Sequence, residues 1–314
     1  MRYIGIKRRM NKLDIHCFYV ITSFLHPRSI KRLGNTSKYV YGCCRNFMTY
    51  SYNQHGADES YFKLYGVRWT IDNCDSGDIT DCINKNLNVV RIIFGNNFNQ
   101  SIETLRRLTS LRQIAFGIHF MQSIEPLKYC TNLQKITFGY YFNQPIEPLR
   151  HCGALQQITF GPAFDQSIEP LQHCEVLQRI TFGFNFNQSV EYLQHCKTLQ
   201  QITFSRKFNR SIEPLGHLKA LQQIAFGYYF NQSIEPLGNC GALHQITFGF
   251  YFNQSIEPLR HCGALHQITF GFHFNQSIEP LQHCTHLKQI TFGKKFNQPI
   301  YTLPQNIDIL HRTW

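Results

Sequence analysis

From Phe98 onward the chain repeats itself every 22 residues. Phe98, Phe120, Phe142, Phe164, Phe186, Phe208, Phe230, Phe252, Phe274 and Phe296 stand in one register without a single insertion. The unit is cleanest from Phe252 to His273, FNQSIEPLRHCGALHQITFGFH. A fixed period in the twenties restricts the chain to a solenoid with one coil per repeat. One coil is too short to bury its own apolar residues, so neighbouring coils must stack.

With the Phe as position 1, positions 1, 5, 8, 11, 14, 17 and 19 are apolar in nearly every copy. Gln157-Ile158-Thr159-Phe160 alternates polar and apolar residues and predicts a short strand. Ile158 and Phe160 then face the core, and Gln157 and Thr159 face out. Stacking joins these strands into a parallel sheet at about 4.8 Å per coil. Gly at position 20 in nine copies, with Ser205 the exception, marks a turn. Ser-Ile-Glu-Pro-Leu predicts a helical turn with Ser as its cap, Glu at its positive end and Pro early. Position 2 is Asn in Asn99, Asn143, Asn187, Asn209, Asn231, Asn253, Asn275 and Asn297. These side chains are expected to point inward and bond turn backbone of their own and the next coil. Met121 and Asp165 break the column, which predicts local weakness there.

The spacing L-x-x-I-x-F is similar to that of the leucine-rich repeat. More specifically, the Phe-Asn-x-x-Ile-x-Pro-Leu units resemble the FNIP repeat, a leucine-rich-repeat relative, over residues 83–303. Near the N-terminus, Leu13-Asp14-Ile15, Ile21-x-x-Phe24-Leu25-His26-Pro27-Arg28-x-Ile30-x-x-Leu33 and Ser37-Lys38 resemble an F-box. Asp14 stands where that family usually has Pro, and His16 where an acid is common. The pairing of an F-box with FNIP repeats is known from amoebae and from giant DNA viruses that infect them.

The fold expected is an α/β repeat solenoid, with leucine-rich-repeat-like stacked coils and a parallel β-sheet on one face. A small helical F-box-like module at 10–46 precedes it, then a connector and N-terminal cap at 47–82. The solenoid occupies 83–303, and 304–314 form a C-terminal tail. Phe62, Leu64, Tyr65, Val67, Trp69 and Ile71 are expected to form the lid over the first coil.

Charge argues against nucleic acid as the partner of the whole chain. The formal net charge is +12, but residues 1–50 hold ten Lys/Arg against one acid, while 91–314 hold eighteen against twelve. No run of 18 apolar residues exists to span a membrane. Asp14 and His16 interrupt the apolar stretch that otherwise imitates a signal peptide, and no small-residue cleavage site follows. Cys130, Cys152, Cys174, Cys196, Cys240, Cys262 and Cys284 share position 11, where Leu108 and Leu218 also occur. A site that accepts Cys or Leu is buried and apolar, which reads as reduced thiols in the cytosol or nucleus.

The recurring His-Cys pairs, such as His151-Cys152 and His261-Cys262, lack zinc spacing and place adjacent residues on different sides of a coil. The column of nine Glu at position 6 is read as structural, at the positive ends of the helical turns. No phosphate loop or nucleophile motif is present, so no catalytic residue, cofactor or metal is expected.

What varies while the frame repeats is positions 21 and 22, at one rim of the sheet. Tyr140, Tyr141, Phe184, Tyr228, Tyr229, Phe250, Tyr251 and Phe272 fall there and are the candidate partner-binding residues. Some of them are expected to pack between coils instead. Beside them runs a polar strand face of Gln113, Gln157, Gln201, Gln223, Gln245, Gln267 and Gln289, interrupted by Lys135 and Arg179. By resemblance, Leu13, Ile21, Phe24, Leu25, Pro27, Ile30 and Leu33 would dock the Skp-type adaptor of a cullin ubiquitin ligase, with the solenoid holding a target protein. That implies a non-catalytic monomeric adaptor in the cytoplasm, of the host if the chain is viral. The alternative is a scaffold or masking module without any ubiquitin-ligase link.

Overall fold

The structure, a computed structural model, describes residues 49–51, 68–74, 88–303 and 306–311. The F-box-like residues from Leu13 to Leu33 lie outside the described residues, as do Phe62, Leu64, Tyr65 and Val67 of the expected lid.

Thirteen strands are described. They form one sheet in strict chain order, and every neighbouring pair is parallel. The register is the repeat itself, because Gln157 pairs with its own equivalent one coil on, Arg179, and Ile158 with Ile180. The sheet also takes in Thr49–Ser51 and Arg68–Cys74 at one end and Asp308–His311 at the other. Each regular strand spans only three residues, as in Gln157–Thr159.

All seven apolar positions are buried in every coil but the last, where Phe296 is half-buried and Ile300 exposed. In the coil from Phe120 these are Phe120, Ile124, Leu127, Cys130, Leu133, Ile136 and Phe138. The alternation read from Gln157 to Phe160 holds, with Ile158 and Phe160 buried and Gln157 and Thr159 half-buried. Two columns of Phe rings line the core beneath the rim. Phe138 and Phe142 stack at 4.1 Å between centroids, and each stacks on its equivalent in the next coil, Phe160 at 5.5 Å and Phe164 at 6.3 Å.

The expected helical turns are five-residue 3-10 helices, such as Glu147–His151. Ser sits one residue earlier than the cap position, which Ile occupies. Its hydroxyl still satisfies an orphan donor, since Glu169 N–H donates to Ser167 Oγ at 3.2 Å.

Two details differ from expectation. The position-2 Asn side chains do not enter the core; they are half-buried or exposed and bind the next coil. Asn187 Oδ1 accepts the N–H of Asn209 at 3.0 Å, and Asn209 Oδ1 that of Asn231 at 2.9 Å. Asp165 does not weaken this ladder, because its carboxylate accepts the N–H of Asn187 at 2.8 Å. Met121 does, having no oxygen to offer Asn143.

The second detail is the reason for the glycines. A Cβ on Gly139 would lie 1.7 Å from the carbonyl oxygen of Gly117, and one on Gly249 1.7 Å from that of Gly227. Close approach of backbones, rather than a left-handed conformation, selects Gly at position 20.

Candidate interaction surface

The rim is a row of turns between position 19 and the next position 1. Each turn rests on the Phe–Phe stack below it, and the turns bond to one another through backbone. Tyr251 N–H donates to Tyr228 O at 3.1 Å and His273 N–H to Phe250 O at 3.0 Å. Residues 21 and 22 of successive coils are therefore held in line at coil spacing.

At position 21 this alignment builds a continuous stack. The Arg206 guanidinium lies over Phe184 at 5.2 Å and over Tyr228 at 4.5 Å. Tyr228 stacks on Phe250 at 4.6 Å, and Phe250 on Phe272 at 4.8 Å. Lys295 closes the row from position 22 of the next coil, its Nζ 5.8 Å from the Phe272 ring. At position 22, Tyr229 stacks on Tyr251 at 5.6 Å and Tyr251 on His273 at 4.9 Å. Partial desolvation, and next to it the charge of Lys295, push the His273 pKa down.

The eight aromatic residues expected at this surface fall into two groups. Tyr140 and Tyr141 stand apart, 51% and 46% exposed, with His119 stacked on Tyr141. Pro162 and Ala163 occupy the next coil and interrupt the row. The other six belong to the larger stack, where Phe184, Tyr229 and Tyr251 are exposed and Tyr228, Phe250 and Phe272 are half-buried against their neighbours. Packing between coils thus accounts for three of them. Sequence reasoning passed over Arg206, His273 and Lys295. Their positions, 21 and 22 in register with the rings, were readable in the sequence; that a cation there lies over a ring face depends on which side of the turn its side chain takes.

The strand face beside the rim carries Gln and Thr, half-buried or exposed up to Thr269, with Thr291 of the last regular strand buried. The opposite side carries the Glu column. Glu103, Glu147 and Glu257 pair with Arg106, Arg150 and Arg260 three residues on, and Glu125 with Lys128. These pairs are exposed and contribute little to stability.

The position-11 thiols are buried, and burial pushes Cys130, Cys152, Cys174, Cys196 and Cys262 up to about 12. Each donates weakly to a backbone carbonyl of the coil before it, as Cys196 Sγ does to Leu171 O at 3.3 Å. The adjacent His195 is exposed. Among the described residues no group of three His, Cys, Asp or Glu is arranged to hold a metal ion. None of their helices is long and apolar enough to cross a membrane.

No family description matches the chain, and no curated protein does. Solved structures do match. A circular leucine-rich-repeat protein from a giant virus is 25% identical, with a TM-score of 0.60 over 85% of this chain. The chain spans 43% of that protein's length. An internalin of Listeria monocytogenes is 15% identical, with a TM-score of 0.57, covering 86% of this chain and 88% of its own. The Drosophila Toll–Spätzle complex gives 13% identity and a TM-score of 0.57, over 84% of this chain and 43% of the other. These likenesses, with the all-parallel sheet, establish a leucine-rich-repeat-like solenoid.

Proposed function

We propose that the protein is a non-catalytic adaptor, a substrate receptor of a cullin-type ubiquitin ligase. The N-terminal residues Leu13, Ile21, Phe24, Leu25, Pro27, Ile30 and Leu33 dock a Skp-type adaptor, and the solenoid holds a target protein. The observation that carries the target-binding half is the aromatic rim, where Tyr140, Tyr141, Phe184, Tyr229 and Tyr251 stay exposed on a backbone laddered by hydrogen bonds. A monomer would keep such rings exposed only at a modest solubility cost, and interaction surfaces are where they collect. The ligase half rests on the F-box resemblance of the N-terminal residues. Rate in such a scheme comes from proximity, so no residue of this chain performs chemistry.

Co-expression of the full chain with a eukaryotic Skp-type adaptor tests the ligase half. The adaptor is expected to co-purify with the wild-type chain and not with the Leu25→Asp, Leu33→Asp double variant, while both show the same thermal unfolding of the repeats. Absence of the adaptor from the wild-type preparation would reduce the chain to a repeat scaffold acting by occupancy.

A further inference from the structure

The charge and ring geometry of the rim specify the chemistry of its partner. This step rests on the reading that the solenoid binds a protein. The six turns from position 19 to the next position 1 (182–186, 204–208, 226–230, 248–252, 270–274 and 292–296) contain Arg206, Lys207, Lys294 and Lys295 and not one Asp or Glu; a Glu follows five residues after each of the first five. The solenoid's acids lie elsewhere, chiefly in the Glu column that opens the 3-10 helices. Asp165, at position 2 of the preceding coil, is engaged in accepting the N–H of Asn187.

The rings add to this field rather than diluting it. An aromatic ring is negative on its faces and positive at its edge. Tyr228 has one face under Arg206 and the other on Phe250; Phe250 lies between Tyr228 and Phe272; Phe272 lies between Phe250 and Lys295. Both faces of each ring are taken, so the column offers solvent its positive edges. These three rings accordingly have no free face on which a base of single-stranded nucleic acid could stack.

We infer that this rim binds an acidic segment of the target protein that also carries apolar side chains. Its carboxylates meet the ring edges and the cations at either end, Arg206 and Lys207 on one side and Lys294 and Lys295 on the other. Its apolar groups pack on the exposed parts of Tyr229 and Tyr251.

The test selects displayed random peptides on the full chain and re-screens the enriched clones against a Lys207→Glu, Lys295→Glu, Tyr251→Ala variant. These three side chains are exposed or partly so, and matching thermal unfolding of the two proteins establishes that the variant folds. The expected result is enrichment of Asp and Glu together with Leu, Phe or Tyr, and at least tenfold weaker binding of those clones to the variant. Clones rich in Lys and Arg, clones without charge preference, clones that hold the variant equally well, or no enrichment would each overturn the inference. A labelled single-stranded oligonucleotide serves as the second probe. Its binding at physiological ionic strength, lost in the variant and tighter than that of the selected peptides, would assign the rim to nucleic acid instead. Adaptor co-purification reads the N-terminal half separately, so failure here leaves that result standing.

Discussion

Asn231 accepts, through Oδ1, the backbone N–H of Asn253 at 2.9 Å, and the same oxygen takes the Gln254 side-chain amide at 3.2 Å. One side chain thus fastens two donors of the following coil. Coils that otherwise meet through three-residue strands gain a second seam beside the rim. Asn231→Ala removes this acceptor and is expected to cost about 1 kcal/mol in equilibrium urea denaturation. Asn231→Asp keeps an oxygen in place, as Asp165 does for Asn187, and should change stability by less than about 0.5 kcal/mol. Equal losses in the two variants would show that the ladder oxygen is not what matters at position 2.

The backbone approach at position 20 makes a different prediction. Gly249→Ala places a methyl group 1.7 Å from Gly227 O and is expected to destabilise the array by about 3 kcal/mol, the upper end for overpacking. Ser205 shows how the array tolerates its own exception. Ser205 Oγ donates to Phe186 O at 2.6 Å and accepts the N–H of Phe208 at 3.0 Å, a donor that other turns direct to the glycine carbonyl. Ser205→Ala keeps the crowding and loses both bonds, whereas Ser205→Gly restores the common turn. Urea midpoints should rank Gly at or above Ser and Ala well below both.

Alkaline pH should destabilise the repeats through their thiols. Burial raises the position-11 thiols from an ordinary 9.0 to about 12 in five coils and about 11 in Cys240 and Cys284. Below pH 9 both folded and unfolded chains hold these protons, so their contribution is complete. As pH rises toward 12 the unfolded chain loses protons that the folded chain retains, and stability falls. Replacing Cys152, Cys174 and Cys196 by Leu, the residue already buried at Leu218, should flatten the fall between about pH 9 and pH 11. Denaturation profiles of wild type and triple variant that run parallel across that range would contradict the thiol explanation.

The Phe columns predict a large cost for a single truncation. Phe186 is fully buried and stacks on Phe182 at 4.0 Å and on Phe164 and Phe208 at 6.2 Å. Phe186→Ala is expected to cost about 3–5 kcal/mol, because rigid neighbours above and below cannot close the cavity. A loss below about 1 kcal/mol would mean that the coils relax independently.

The sheet and core were legible because both follow from period alone. A 22-residue register with seven apolar positions leaves one way to stack coils, and Ile158 and Phe160 face the core as their alternation requires. Asn at position 2 bonds the backbone of the next coil as its column predicts, but Asn231 lies half-buried beside the rim rather than inside the core, because the donor it serves is at the surface. Gly139 reads as a turn residue and does open the turn, its carbonyl accepting the N–H of Phe142; that its Cβ would strike the neighbouring coil is visible only once the coils are stacked. At the rim, the aromatic residues were legible as exceptions to the repeat. Their ordering by Arg206 and Lys295 was not, since it depends on which side of a turn each side chain takes.

The most direct measurement is calorimetric titration of the full-length chain with a purified eukaryotic Skp-type adaptor. It would be run on wild type, on Leu25→Asp with Leu33→Asp, and on a rim variant, Tyr229→Ala with Tyr251→Ala. The account predicts one-to-one binding at micromolar affinity or tighter, abolished by the N-terminal pair and unchanged by the rim pair. No heat of binding from wild type, or the same affinity in all three, would contradict a receptor with its adaptor site at one end and its target surface on the coils.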